Sequence, residues 1–212
     1  MRRVADSTVR RLSLYLSALE AFESQGTATV SSHTLATRGG TTSAQVRKDL
    51  SFFGSFGKRG LGYGVGELAR RLRDILGLKR DYRLAFVGAG KMASALINYR
   101  GFDQRGFHIQ AVYDSDPRKV GENWNGKTVR DVRKMVQDLK AHPVDIAVIV
   151  TPADAAQAVA DQLVAAGVRA ILNFAPTQIA TPDGVTVKSV NLTLELEALS
   201  YALKHMRPKT LA

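Results

Sequence analysis

LAFVGAGKMASAL, residues 84–96, carries an apolar run into a Gly-x-Gly-x-x-Ala spacing, Gly88, Gly90 and Ala93, and then into helix-forming residues. A strand that enters a glycine loop and leaves as a helix is the opening of a dinucleotide-binding βα unit. The first glycine permits the tight turn, the second lets the backbone come close to a pyrophosphate, and the small third residue lets the helix pack closely on the strand. Amide donors and a positive partial charge at the helix N-terminus then favour phosphate. Gly88, Ala89, Gly90, Lys91, Met92 and Ala93 are the candidate cofactor contacts of this loop, with Lys91 adding a cation.

Downstream, IQAVYD ends on Asp114, 24 residues after Gly90, where an acidic side chain accepts hydrogen bonds from an adenosine ribose and repels a 2′-phosphate. This favours NAD(H) over NADP(H), tempered by Arg118 and Lys119 nearby; the alternative is that Asp114-Ser115-Asp116-Pro117 is only a strand-ending turn. Further apolar runs, VDIAVIVT and RAILNF, alternate with helical segments, which predicts a doubly wound parallel sheet with crossover helices, a Rossmann-type domain. No His-Asp or Tyr-x-x-x-Lys pairing stands out, so no catalytic residue is assigned. There is no cysteine, and His33, His108, His142 and His205 lack ligand spacing, so no metal site is expected.

Upstream, the charge changes. Residues 1–80 hold 14 Lys and Arg against 6 Asp and Glu, while residues 81–212 hold 16 against 13. Most of the net +11 therefore lies in the first third, as suits a polyanionic partner. Val9, Leu12, Tyr15, Leu16, Leu19 and Phe22 form one helical stripe. SSHTLATR (31–38) predicts a short second helix with Leu35 and Ala36 inward, ended by Gly39-Gly40. Thr41-Thr42 can cap a third, with Val46, Leu50 and Phe53 on the buried face and Ala44, Arg47, Lys48 and Ser51 outward. Two short helices about a glycine turn, the second presenting cations, have the layout of a helix-turn-helix with its recognition helix. The following FGSFGKRGLGYG (53–64) predicts a tight hairpin with Lys58 and Arg59 at its middle, a basic wing suited to the minor groove.

GELARRLRDILGL (66–78) closes this region with Leu68, Leu72, Ile75 and Leu76 on one face. The expected organisation is a winged-helix domain over 1–80, a Rossmann domain over 81–190, and a C-terminal helix and tail over 191–212. That helix starts at the cap-like Asn191 and carries Leu192, Leu196, Leu199 and Leu203 on one side, more apolar surface than one exposed helix needs. It either docks on its own domain or is buried by a second copy. With no run of 18 apolar residues and no signal sequence, neither membrane insertion nor export is indicated, and the expected location is the cytoplasm. On these features a dinucleotide-responsive DNA-binding protein is favoured; an NAD(P)-dependent oxidoreductase with an appended helical domain and an architectural DNA-binding dimer remain as alternatives.

Taken together, AQVRKDLSFFGSFGKRGLGYG (44–64), VGAGKMASAL, NYRGF, YDSDPRKVG, TPADAAQAVAD, ILNFAP and LELEALSYAL, in this order over nearly the whole chain, resemble the Rex family of bacterial repressors that sense NADH relative to NAD+. The resemblance implies a homodimer that exchanges its last helix and binds an inverted-repeat DNA operator, with NADH and NAD+ as effectors. It places Gln45, Arg47 and Lys48 on the recognition helix and Lys58, Arg59 and Gly60 on the wing. It adds Thr151, Pro152 and Asn173 to the nicotinamide side, and Arg11, Tyr99 and Asn191 to a switch that distinguishes the two redox states. Family members usually carry Asp at the position of Asn191, Pro at Arg100 and Gly at Ala93.

Overall fold

The computed structural model describes residues 4–57 and 60–205, and the chain divides into two compact units, Met1–Arg80 and Asp81–Ala212.

In the first unit, α1 (Asp6–Ser24), α2 (Ser32–Arg38), α3 (Ser43–Ser51) and α4 (Val65–Ile75) surround one apolar core, with short strands β1 (Thr29–Val30) and β2 (Tyr63–Gly64) beside it. Leu12, Tyr15, Leu16 and Leu19 of α1 meet Leu35, Val46, Leu50, Leu68 and Leu72 in that core. The phase of α1 differs slightly from the stripe in the sequence: Val9 is 41% exposed, whereas Thr8 is buried and accepts a hydrogen bond from Arg11. Both short helices are capped as their sequences suggest. Ser31 Oγ accepts from Thr34 N at 3.0 Å and Thr42 Oγ1 from Gln45 N at 3.1 Å. Between them Gly40 takes φ +61°, while Gly39 is needed for space: a Cβ there would lie 2.8 Å from the Tyr15 ring.

The glycine-rich segment departs from the expected self-paired hairpin. Its returning limb, β2, pairs antiparallel with β1, Thr29 against Gly64 and Val30 against Tyr63. Gly57 and Gly62, both at positive φ, let the two limbs of the loop meet backbone to backbone, since a Cβ on Gly57 would collide with the Gly62 carbonyl. Lys58 and Arg59 lie outside the described residues.

The second unit is a sheet with helices on both faces: β3 (Tyr82–Val87), α5 (Lys91–Ile97), β4 (Phe107–Asp114), β5 (Asn123–Trp124), β6 (Lys127–Asp131), α6 (Met135–Ala141), β7 (Ile146–Ile149), α7 (Ala153–Ala165), β8 (Ala170–Asn173), β9 (Thr186–Ser189) and α8 (Leu192–His205). Strand order is β5-β6-β4-β3-β7-β8-β9, all parallel except the edge strand β5. Counted along the chain, the parallel strands run 3-2-1-4-5-6, the doubly wound Rossmann order, which reverses between β3 and β7. Alternate residues of β3 serve opposite cores: Leu84 and Phe86 pack with Ala93 and Ile97, Ala85 and Val87 with Met135, Leu139 and Ala160. Two buried faces explain why LAFV is apolar throughout. By contrast α8 has no buried residue, and Leu196, Leu199 and Leu203 are 65%, 61% and 69% exposed. Among the described residues no helix is long and apolar enough to cross a membrane.

Candidate functional site

The glycine loop sits where the strand order reverses, at the carboxyl end of β3, which is where ligands enter doubly wound sheets. Gly88 takes φ +102°, and a Cβ on it would stand 2.6 Å from the Val150 carbonyl after β7, so the loop crosses the neighbouring strand end in direct backbone contact. Its N–H donates to the Tyr113 carbonyl at 2.8 Å. Gly90 differs: nothing lies within 4 Å of where its Cβ would be, and it borders a cleft of about 690 Å³. Met92, Thr151, Pro152 and Phe174 line the same cleft. Ala93 is fully buried against β3 and β4, the close-packing role expected of the third small residue. Ala89 is buried and Lys91 exposed, and neither is among the cleft-lining residues.

Asp114 reaches the cleft, but its carboxylate is already engaged. Oδ2 accepts from Ala89 N at 2.5 Å and from Lys119 Nζ at 3.2 Å, and Oδ1 accepts from Asp116 N at 2.7 Å. Burial works against the charge, yet the Asp116 and Ala89 amides, with Lys119, more than offset it and hold the carboxyl below its usual range. Asp114 thus braces the glycine loop, and its three donors leave one lone-pair position of the usual four open. The neighbouring Asp116 is gripped by Arg118 through two side-chain bonds of 3.0 and 2.8 Å, which with the Arg118 backbone N–H bring its pKa to about 2. Both cations beside the loop are therefore paired with carboxylates of their own turn.

Thr151 and Asn173 separate in role. Thr151 Oγ1 is buried with no partner, the one such side-chain atom among the described residues, and its residue lines the cleft. An orphaned hydroxyl beside an open glycine and a helix N-terminus fits a polar, phosphate-bearing ligand. Asn173, expected on the nicotinamide side, is fully buried and holds its own loop. Its Oδ1 accepts from Ala175 N at 2.9 Å, and its Nδ2 donates to the Thr177 carbonyl at 2.8 Å. It does not line the cleft, where Phe174 and Pro176 stand instead.

In the first unit, α3 exposes Ala44, Arg47, Lys48 and Ser51 as its spacing requires, and Arg47 Nη1 donates to Ser32 Oγ at 3.0 Å. A residue the sequence reading passed over governs this helix. Asp49 is 0% exposed and accepts from four donors: Arg11 Nε at 2.6 Å and Nη2 at 2.7 Å, Tyr15 OH at 3.0 Å and Gln45 Nε2 at 2.8 Å. Burial opposes its charge, and Arg11, then Gln45 and Tyr15, outweigh that opposition and keep the carboxyl below its usual range. Burial, with the bond to Asp49, pushes the Tyr15 hydroxyl up to about 12. The signal was available, because Asp49 falls between Val46 and Leu50 on the inward face of α3.

The three switch candidates each have local partners. The Arg11 guanidinium is bound two-fold to Asp49 within the first unit. Tyr99 is 60% exposed, folds over Gly101 and meets Phe102 edge-on at 5.3 Å. Asn191 Oδ1 accepts from Thr193 N at 3.0 Å, capping α8. Among the described residues no cluster of three His, Asp or Glu is placed to hold a metal.

Comparison with known proteins places both units. Residues 79–177 match the family described as "CoA binding domain", and residues 3–51 the family described as "Putative DNA-binding protein N-terminus". CoA and NAD share an adenosine diphosphate, so the first match suits the glycine loop. Over 202 residues the chain is 46% identical to the redox-sensing transcriptional repressor Rex of Carboxydothermus hydrogenoformans, covering 95% of this chain and 97% of that one. It is 46% identical over 200 residues to the Rex repressor of Streptomyces avermitilis, covering 94% and 79%. Among solved structures it resembles RSP in complex with β-NAD+ and operator DNA, with TM-score 0.91, 36% identity and coverage of 96% and 94%. RSP in complex with β-NADH gives TM-score 0.87, 35% identity and 96% coverage of each chain.

Proposed function

The chain belongs to the Rex family of redox-sensing transcriptional repressors, and from that premise we propose that it is a dimeric, operator-binding repressor whose DNA affinity depends on whether NADH or NAD+ fills the cleft above Gly90. Residues 1–80 bind DNA, 81–190 bind the dinucleotide and 191–212 join the dimer. The observation that carries this reading is the presence in one chain of a capped helix pair with outward cations and a glycine loop opening on a cleft at the sheet's reversal point. Acting on chromosomal DNA places the protein in the cytoplasm.

The cleft residues divide the work of binding. Gly88 keeps the loop against β7, Asp114 fixes the Ala89 amide, and Gly90 with the first turn of α5 leaves backbone donors open to phosphate. Thr151 Oγ1 gains in such a ligand the partner it lacks. The dinucleotide supplies a redox state to be read. Arg47 and Lys48 of α3 face the major groove, and the loop holding Lys58, Arg59 and Gly60 supplies a wing for the minor groove.

A ligand shifts the dimer between DNA-binding and non-binding arrangements only by binding one of them better, and a tenfold change in operator affinity needs about 1.4 kcal/mol of such preference. Arg11, Tyr99 and Asn191 are the switch positions of this reading. A carboxylate at 191 would cap α8 as the amide does and add a charge, so Asn191→Asp is expected to widen by about tenfold the ratio of NAD+ to NADH concentrations that release half the operator. An unchanged ratio counts against a switch role for this position.

The exposed leucines of α8 support exchange of this helix with a second copy. Leu196→Asp with Leu203→Asp is expected to give a monomer in sedimentation and to weaken palindromic operator binding by at least about 100-fold, since the two half-sites are then engaged separately. A dimer with intact operator affinity would remove α8 from the interface.

A further inference from the structure

Gln45 lies in the first turn of α3, and its side chain is held by one bond, Nε2 to Asp49 Oδ1 at 2.8 Å. We infer that Gln45 reads adenine in the operator's major groove, and that Asp49, buried behind it, is the positioning residue that sets its amide for this task. The inference rests on the DNA-binding reading above and adds to it the base and the atoms.

The orientation follows from chemistry. An amide can turn either its oxygen or its nitrogen to a neighbour, but an ionised carboxylate only accepts, so the nitrogen must face Asp49. Asp49 cannot turn away, being fully buried and bound two-fold by Arg11 and once by Tyr15. Gln45 is only partly buried and makes no other side-chain hydrogen bond among the described residues. That leaves Oε1 as an acceptor and one N–H as a donor, side by side and fixed in orientation. In the major groove adenine alone presents the complement, the N6 amino donor beside the N7 acceptor. Guanine offers two acceptors, thymine an acceptor and a methyl group, and cytosine a single donor. Residues in the first turn of a recognition helix are the ones that reach base edges. Holding the amide in advance also lowers the rotamer entropy lost on contact.

The test uses the full-length dimer and a selected palindromic operator in which each adenine of a half-site is replaced in turn by purine, which lacks the N6 amino group, or by 7-deazaadenine, which lacks the N7 acceptor. At one adenine per half-site both replacements are expected to weaken wild-type binding by about tenfold. In Gln45→Met the same replacements should cost nothing there, while the other adenines keep their wild-type response. In Asp49→Asn, verified as folded by its thermal transition, the neighbouring amide accepts either orientation of Gln45, and the penalty should shrink with binding retained. Gln45→Met decides the adenine assignment even where Asp49→Asn does not fold. An adenine penalty that persists unchanged in Gln45→Met overturns the inference and leaves the DNA-binding reading standing. Failure of the wild type to bind any duplex overturns both.

Discussion

Replacing Asp49 with alanine is expected to lower the melting temperature of the N-terminal unit by about 15 °C and to abolish operator binding at temperatures where dinucleotide binding survives. Removing one partner of a buried ion pair costs on the order of 3–5 kcal/mol. Here Arg11 retains some access to water, its side chain being 23% exposed, so the lower end applies. About 3 kcal/mol in a domain of this size corresponds to roughly that temperature shift. Tyr15 OH and Gln45 Nε2 lose their acceptor in the same step. The pH dependence has a definite sign. The folded carboxyl titrates below its unfolded value of about 3.9. Its contribution is therefore present above that value and lost as pH falls through the lower folded one. Thermal unfolding followed by circular dichroism at pH 7 and pH 3 should show a large difference between wild type and Asp49→Ala at the first and a smaller one at the second. Equal melting temperatures at pH 7 would show that the four-donor arrangement does not hold the unit together.

Gly88→Val should remove dinucleotide binding while leaving ligand-free operator binding intact. The φ of +102° is one a β-branched residue rarely adopts, and the new Cβ would stand 2.6 Å from the Val150 carbonyl, which is backbone and cannot swing aside. The conformation costs about 1–2 kcal/mol and the overpacking about 1–3 kcal/mol. The loop must move away from β7, carrying with it the Ala89 amide that Asp114 holds. Calorimetric titration should show NADH affinity reduced by at least about 30-fold, corresponding to roughly 2 kcal/mol. The same preparation should bind operator and no longer be released by NADH. Wild-type affinity in this variant would mean that the cleft at Gly88 is not where the dinucleotide sits.

The legible parts of this fold are those where local spacing and global burial agree. LAFV shows as a central strand because both its faces are buried, and the caps Ser31 and Thr42 mark helix starts that tertiary contacts do not alter. β5, β6 and β9 do not stand out in the sequence because they lie at or near the sheet edges and are too short or too polar to form apolar runs; in β6 only Val129 is buried. The Arg11–Asp49 pair is not legible in the sequence, because charged residues are by type solvated and only tertiary packing brings these two together across 38 residues. Spacing marks Asp114 as the acidic end of β4, but its three intramolecular donors depend on how the following turn folds back, which spacing alone does not specify. Asn173 enters on the nicotinamide side only through the family resemblance; that its amide closes the loop after β8 is a tertiary detail no spacing signals.

The most direct test of the central claim is fluorescence anisotropy of the full-length dimer on a selected palindromic duplex at fixed salt, titrated with NADH and, separately, with NAD+. Release by NADH is expected at concentrations at least about tenfold below those at which NAD+ acts. Release by both at equal concentrations, or by neither while the DNA stays bound, would contradict redox sensing by this protein.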